Sequence, residues 1–271
     1  MSTTLGERDW RLLLRRIAAG KCTPFLGAGA CFGTLPLGSD IANEWSGAHQ
    51  YPLEDSHDLV RVAQFLAVQY DPVFPKEELL KEFENVEAPD FTDPDEPHAV
   101  LADLPLPVYI TTNYDDFMVR ALESRDRHPR RELCRWNTLL KDRASVLESG
   151  NGLSPTVANP VVFHLHGHNE VPESLVLSED DYLDFLVNLS KDQELLPPRI
   201  QGAMAGTSLL FLGYRIADWD FRVLFRSLIS YLEKSTKRAH VSVHLVPGGD
   251  RISPAQREKA QEYLDSYFDE L

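Results

Sequence analysis

The sequence has only three cysteines, Cys22, Cys31 and Cys134, and no C-x-x-C pair. A four-cysteine zinc site is excluded, and an odd count without a framework fits a reducing, cytoplasmic compartment. Long apolar runs are missing too: none approaches the ~20 residues of a membrane span. Nor does the start of the chain resemble a signal peptide, because residues 7–19 mix charges with Trp10, Leu13, Leu14 and Ile17 at helical spacing. Basic residues are in deficit, 27 Lys and Arg against 42 Asp and Glu, for a net charge of −15. Such a chain is repelled by phosphate backbones and anionic lipid, so neither nucleic acid nor a membrane is the expected partner. Repeats and low-complexity tracts are absent, and 271 residues suffice for one large domain or one carrying an inserted module.

Against these absences stands one organising stretch, Thr23-Pro24-Phe25-Leu26-Gly27-Ala28-Gly29-Ala30-Cys31. A short apolar run that ends in two glycines reads as a buried strand turning sharply at its carboxyl end. Glycine has no Cβ, so the turn can bring backbone N–H groups close to a phosphate, and a following helix N-terminus would add favourable dipole charge. A dinucleotide is the first ligand to consider. The third glycine of the usual dinucleotide fingerprint is lacking, and an ordinary tight strand-to-loop turn is the competing reading.

Further on, helical spacing recurs over Ile41–His49 behind a cap at Ser39 or Asp40, over Asp55–Tyr70 and over Lys76–Val86, and the acidic, proline-bearing residues 87–97 read as a loop. Residues 107–112 form a second strand ending in Asn113-Tyr114-Asp115-Asp116 before a helical run Phe117–Glu123. Taken alone, Asn113 and Asp115 read first as caps of that helix. A short strand is possible at Glu132–Trp136. A third apolar strand runs from Pro160 into His164-Leu165-His166-Gly167-His168, and alternation puts His164 and His166 on one face. Helical spacing returns over Leu175–Leu189, with a Ser178-Glu179-Asp180 start. A fourth strand, residues 207–214, ends at Gly213 and Tyr214, with Asp218-Trp219-Asp220 opening a helix over 221–232. Val241–Val246 is a fifth strand, and residues 253–271 a final amphipathic helix.

Strands alternating with helices predict an α/β fold with a doubly wound parallel sheet. Four strand ends then deliver glycine or polar groups to one edge of that sheet, where open α/β sheets bind ligands: Gly27 and Gly29, Asn113 and Asp115, His166 and Gly167, and Gly213, Tyr214 and Asp218. The histidines carry a second meaning, since His164 and His166 on one strand face could hold a metal, with His240 and His244 as further ligands. That reading leaves the glycine signatures unexplained, and no metal is expected.

The segments Gly27-Ala28-Gly29-Ala30-Cys31, Thr111-Thr112-Asn113-Tyr114-Asp115, Leu165-His166-Gly167 and Phe211-Leu212-Gly213-Tyr214 with Asp218 resemble the ordered motif set of the SIR2 (sirtuin-like) superfamily. More narrowly, they resemble the zinc-less SIR2-like domains of bacterial anti-phage defence proteins. The resemblance implies a Rossmann-type NAD site covered by an inserted helical module. The Rossmann part would comprise about residues 1–34, 101–170 and 203–271, and the module about 35–100, with a second helical piece at about 171–202. By carry-over, Gly27, Ala28 and Gly29 cradle the pyrophosphate and Asn113 holds the nicotinamide ribose or a water. Asp115 meets the carboxamide, His166 is the acid/base group, and Gly213 and Tyr214 line the adenosine end. Thr112 and Asp218 belong to the same motifs. Cys31 stands where many relatives have serine.

The activity implied is NAD hydrolysis to nicotinamide and ADP-ribose, with NAD as substrate and no metal. An NAD-dependent protein deacylase and a non-catalytic NAD- or ADP-ribose-binding module are the rival readings. NAD depletion must be restrained until infection, which implies a homo-oligomer, a regulatory partner chain or a missing sensor domain, and the chain is expected to be excised from something longer.

Overall fold

The computed structural model describes residues 6–147, 154–192 and 195–214, the backbone of strand Val241–Val243, and the single positions 223 and 259. Asp218, Trp219, Asp220, His240 and His244 lie outside the described residues, as do, apart from those two positions, the stretches expected to form helices over 221–232 and 253–271.

The central sheet has six strands: β1 (Cys22–Leu26), β2 (Val108–Thr111), β3 (Arg130–Leu133), β4 (Val161–His164), β5 (Ser208–Leu212) and β6 (Val241–Val243). Their order is β3-β4-β2-β1-β5-β6, and every pairing is parallel. Parallel strands buried on both faces read as largely apolar runs, as β2, β4 and β5 do; the edge strand β3 is the polar Arg130-Arg131-Glu132-Leu133, which starts two residues before the expected Glu132–Trp136. Alternate side chains then divide between two cores. Phe25, Val108, Ile110, Val161, Phe163, Leu209 and Phe211 pack on one face with Phe185, Ile200 and Met204. Leu26, Tyr109, Val162 and Leu210 pack on the other with Leu13, Leu101, Met118 and Leu122. Helices thus cover both faces, and the fold is the expected Rossmann-type, doubly wound α/β architecture. From β1 the chain winds outward through β2 and on to β3 and β4, then returns to lay β5 and β6 on the opposite side. Strand order reverses at β1, which is where such sheets open a crevice at their carboxyl ends.

The helices are α1 (Glu7–Ala18), α2 (Gly38–His49), α3 (Leu59–Gln69), α4 (Phe74–Phe83), α5 (Pro97–Ala102), α6 (Phe117–Glu123), α7 (Glu179–Lys191) and α8 (Pro198–Gly206). Helix α6 has the expected bounds. Several starts differ, and caps explain them. Helix α2 begins a turn before Ile41, with the Asp40 carboxylate accepting the Leu37 N–H at 3.2 Å. Helix α3 begins after Asp58, which accepts the N–H groups of Val60 and Arg61 at 3.1 and 3.3 Å. Helix α7 has the expected Ser178-Glu179-Asp180 start: the Ser178 hydroxyl accepts the Asp181 N–H at 3.2 Å, and Leu175 and Leu177 precede the helix. Helices α5 and α8 were not foreseen; each opens on a proline, a helix-initiating position where proline also reads as a breaker, and both are short for periodicity to register.

A third apolar cluster joins α2, α3 and α4 through Ile41, Trp45, Val62, Leu66 and Leu79 to Leu175 and Leu177, with Tyr114 packed against it. These helices therefore bear on the loops that leave β2 and β4. The Lys76 ammonium reinforces the contact, 2.9 Å from the Asp181 carboxylate and 5.7 Å from the centre of the Trp136 ring. Among the described residues no helix is long and apolar enough to cross a membrane.

Candidate functional site

The glycine turn knits β1 to β5. Gly27 donates its N–H to the Leu212 carbonyl and Gly29 donates to that of Gly213, both at 2.9 Å. A Cβ on Gly27 would lie 2.7 Å from the Tyr214 ring, and one on Gly29 would lie 2.9 Å from the Gly213 backbone. Gly213 itself has φ +77°, and a Cβ there would meet the Ala30 nitrogen at 2.4 Å. The close approach that demands glycine is thus already made inside the chain, between two strand ends. Ala28 then opens a 3₁₀ turn, Ala28–Cys31, that carries the Cys31 side chain inward.

Beside this turn, the two readings of Asn113 and Asp115 divide between the residues. Asp115 does act as a cap: its Oδ1 accepts the Phe117 N–H at 2.9 Å. Its Oδ2 accepts the Cys31 thiol at 3.2 Å. Asn113 caps nothing. Its side-chain amide donates to the Gly27 carbonyl at 3.1 Å and to the Cys31 sulfur at 3.2 Å, while its backbone N–H is held by the Thr111 hydroxyl at 2.9 Å. Burial, and then the Asp115 carboxylate, push the Cys31 thiol far above its ordinary pKa, so the sulfur carries its proton. Thr112 and Tyr214 close the neighbouring strand ends: the Tyr214 hydroxyl donates to the Leu26 carbonyl at 2.7 Å and lies 2.8 Å from the Thr112 hydroxyl.

The histidines sit differently from expectation. Strand β4 ends at His164, so alternation does not extend to His166, and the two rings have different neighbours. His164 lies 3.3 Å through Nδ1 from the Asn113 carbonyl and packs edge-on to His168, with ring centres 4.7 Å apart. His166 packs edge-on to Tyr182 and Phe185 of α7, at 5.3 and 5.1 Å. Its Nε2 is buried with no hydrogen-bond partner among the described residues, as is that of His164. Burial pushes the pKa of His166 down to about 3. Desolvation disfavours the imidazolium, so the ring stands neutral in an apolar pocket.

Register relates the two groups. Thr111 pairs with His164 across β2 and β4, so Asn113 and His166 each lie two residues past a matched pair on adjacent strands. The side chains have separate partners, Asn113 on the β1 side and His166 on α7.

Two site neighbours escaped sequence reasoning. His98 of α5 is buried, with Nε2 4.0 Å from the Cys31 sulfur and Nδ1 2.7 Å from Glu96. Burial opposes the Glu96 charge, but the His98 ring and the Ala99 N–H outweigh it and hold the carboxyl below its ordinary pKa. Both residues border the acidic, proline-bearing stretch that reads as a loop, and their only sequence signal is Pro97 between them.

Comparison with known proteins places the chain in a family. The SIR2-like domain family matches residues 107–268, the segment from β2 through β4 and β5. The NAD(+) hydrolase ThsA of Bacillus cereus (strain MSX-D12) is 27% identical over 145 residues, 53% of this chain and 26% of that protein. Its namesake from Acinetobacter baumannii (strain 532279) is 22% identical over 146 residues, 54% of this chain and 27% of that protein. That from Enterococcus faecium is 25% identical over 148 residues, 55% and 27% of the two chains. The chain spans about a quarter of the length of these relatives. With its family match covering more than half of the sequence and its glycine turn, Asn113 and His166 gathered at the carboxyl edge of the sheet, this chain belongs to the SIR2-like domain family.

Proposed function

We propose that the chain hydrolyses NAD to nicotinamide and ADP-ribose, as the effector part of a bacterial anti-phage protein that acts by depleting NAD. The observation that carries this reading is the register of Asn113 and His166: one untitratable amide and one neutral imidazole at adjacent strand ends, next to the glycine turn. The similar proteins named NAD(+) hydrolase support it.

In this reading the pyrophosphate lies along Gly27, Ala28 and Gly29, at the reversal point of the sheet. Gly213, Tyr214, Thr112 and Asp218 line the adenosine end, and Asp115 meets the carboxamide. The nicotinamide of NAD is already cationic and leaves neutral with the bonding pair of the N-ribosyl bond. The protein mainly orients the ribose and one water, and Asn113 suits that task because an amide binds a hydroxyl without changing charge. Water adds to the anomeric carbon, and its proton passes to the neutral Nε2 of His166. Helices α2 to α4, bearing on Tyr114 and Leu175, cover the site as an inserted module and limit bulk water. The working form is an oligomer or needs a regulatory partner or sensor domain, consistent with the much greater length of the relatives.

A time course of nicotinamide release from NAD tests the reading, comparing wild type with His166→Ala over a range of protein concentrations. Release by wild type alone, rising steeper than linearly with concentration, is the expected result. Acetyl-ADP-ribose formed from an acetylated peptide would move the assignment to a deacylase. NAD that stabilises the fold without any cleavage would make it a binding module.

A further inference from the structure

Beneath the glycine turn, three potential metal ligands from distant parts of the sequence converge: Cys31 Sγ, His98 Nε2 and a carboxylate oxygen of Asp115, all within 4.8 Å of one another. We propose that these residues form a divalent metal site of the zinc class. A tetrahedral ion held at about 2.0–2.3 Å by thiolate, imidazole and carboxylate sets its donors roughly 3.3–3.6 Å apart. Here Sγ stands 3.2 Å from Asp115 Oδ2 and 4.0 Å from His98 Nε2, with all three ligand atoms within 4.8 Å of one another, so closing on an ion draws the His98 and Asp115 side chains together by up to roughly 1.5 Å.

Glu96 completes the case. Its carboxylate lies 2.7 Å from His98 Nδ1, an arrangement that places the ring proton there and turns the Nε2 lone pair toward the sulfur. Metal-binding histidines are typically oriented by such a carboxylate, whose removal costs affinity while leaving the ligands in place. Charge balances as well. The thiol proton now sits between Sγ and Oδ2; the ion takes its place, the proton goes to solvent, and the two positive charges meet the thiolate and Asp115. Mixed sulfur, nitrogen and oxygen donors in a tetrahedron select zinc over magnesium or calcium, and three protein ligands leave a fourth position for water. All four residues are buried, so the site is an interior cluster rather than a surface one. Because Asn113 donates to the same sulfur and Asp115 supplies a ligand, metal and NAD would compete for these side chains if the proposed hydrolysis holds.

Cobalt(II), an optical substitute for zinc, provides the test, titrated into the reduced protein at neutral pH. The expected result is saturation at one equivalent, with thiolate-to-cobalt charge-transfer absorption and the visible bands of a four-coordinate ion, both displaced by zinc. Cys31→Ser, close to isosteric, should remove the charge-transfer band. Glu96→Gln should keep the spectrum while weakening cobalt binding about 10–100-fold. Thermal melts of each variant confirm folding. Absence of a saturable band in the folded wild type overturns the proposal and leaves a plain hydrogen-bond network. A band that survives Cys31→Ser also overturns it, since the sulfur would then be Cys22 or Cys134. The readout involves no NAD, so cobalt binding stands or falls independently of whether the metal-free protein cleaves NAD.

Discussion

Asn113 and His166 occupy matched positions two residues past adjacent, paired strand ends, yet their surroundings are opposite. Asn113 is tied on the β1 side to the Gly27 carbonyl and the Cys31 sulfur, within a network that continues to Asp115, His98 and Glu96. His166 is wedged against the aromatic rings of α7, with Nε2 unmatched among the described residues. A polar group that is fully bonded is rigid and contributes to the fold; one left unmatched costs stability and waits for an external partner. The proposed hydrolysis uses that division: the Asn113 side would hold and the His166 side would react.

His166→Phe is the sharpest way to break that division. Phenylalanine suits the aromatic pocket and removes the orphaned nitrogen, so nicotinamide release should fall by roughly 10²–10⁴-fold while the melting temperature stays level or rises. A marked drop in melting temperature would mean that the ring is structural. Asn113→Ala should behave differently: activity is lost, and stability falls with it by about 1–3 kcal/mol in denaturant unfolding, because the amide's bonds to the Gly27 carbonyl and the Cys31 sulfur go, the Gly27 carbonyl keeping only the Ala30 N–H. Equal stability of the two variants would erase the contrast.

Acid should bear on the histidine side. His164 and His166 have pKa values near 3 in the fold against an ordinary 6.5, so the unfolded chain takes up protons first as pH falls. Their neutral burial is without penalty above about pH 6.5, and stability then declines toward pH 3, by up to about 1.4 kcal/mol per pH unit for each ring. Unfolding free energies measured from pH 7 to 4 should show this slope, and His166→Phe should remove one ring's share. The smallest effect is expected at the strand ends. Thr112→Val takes one hydrogen bond from Tyr214 and should cost about 1 kcal/mol, leaving the Tyr214 bond to Leu26 in place.

Much of the fold was legible before any coordinates. Buried parallel strands announce themselves as apolar runs, and glycines mark where β1 and β5 end, so the sheet and its polar edge followed from pattern. Helices α5 and α8 did not, because their opening prolines read as breakers and six or nine residues are short for a period to emerge. Polar residues at strand ends made Asn113 and His166 visible as candidates, while His98 and Glu96 had no signal but the proline between them in an acidic stretch.

The sequence by itself determined that short apolar strands alternate with helices and which polar residues follow them, because periodicity and turn chemistry are local properties. Only the tertiary structure decided what those residues meet. It brought Cys31 to His98 and Asp115, 67 and 84 residues away, and it stripped water from His166 so that the ring stands neutral. Contacts between distant segments and the loss of solvent around them depend on how helices pack over the sheet, and no local pattern encodes that.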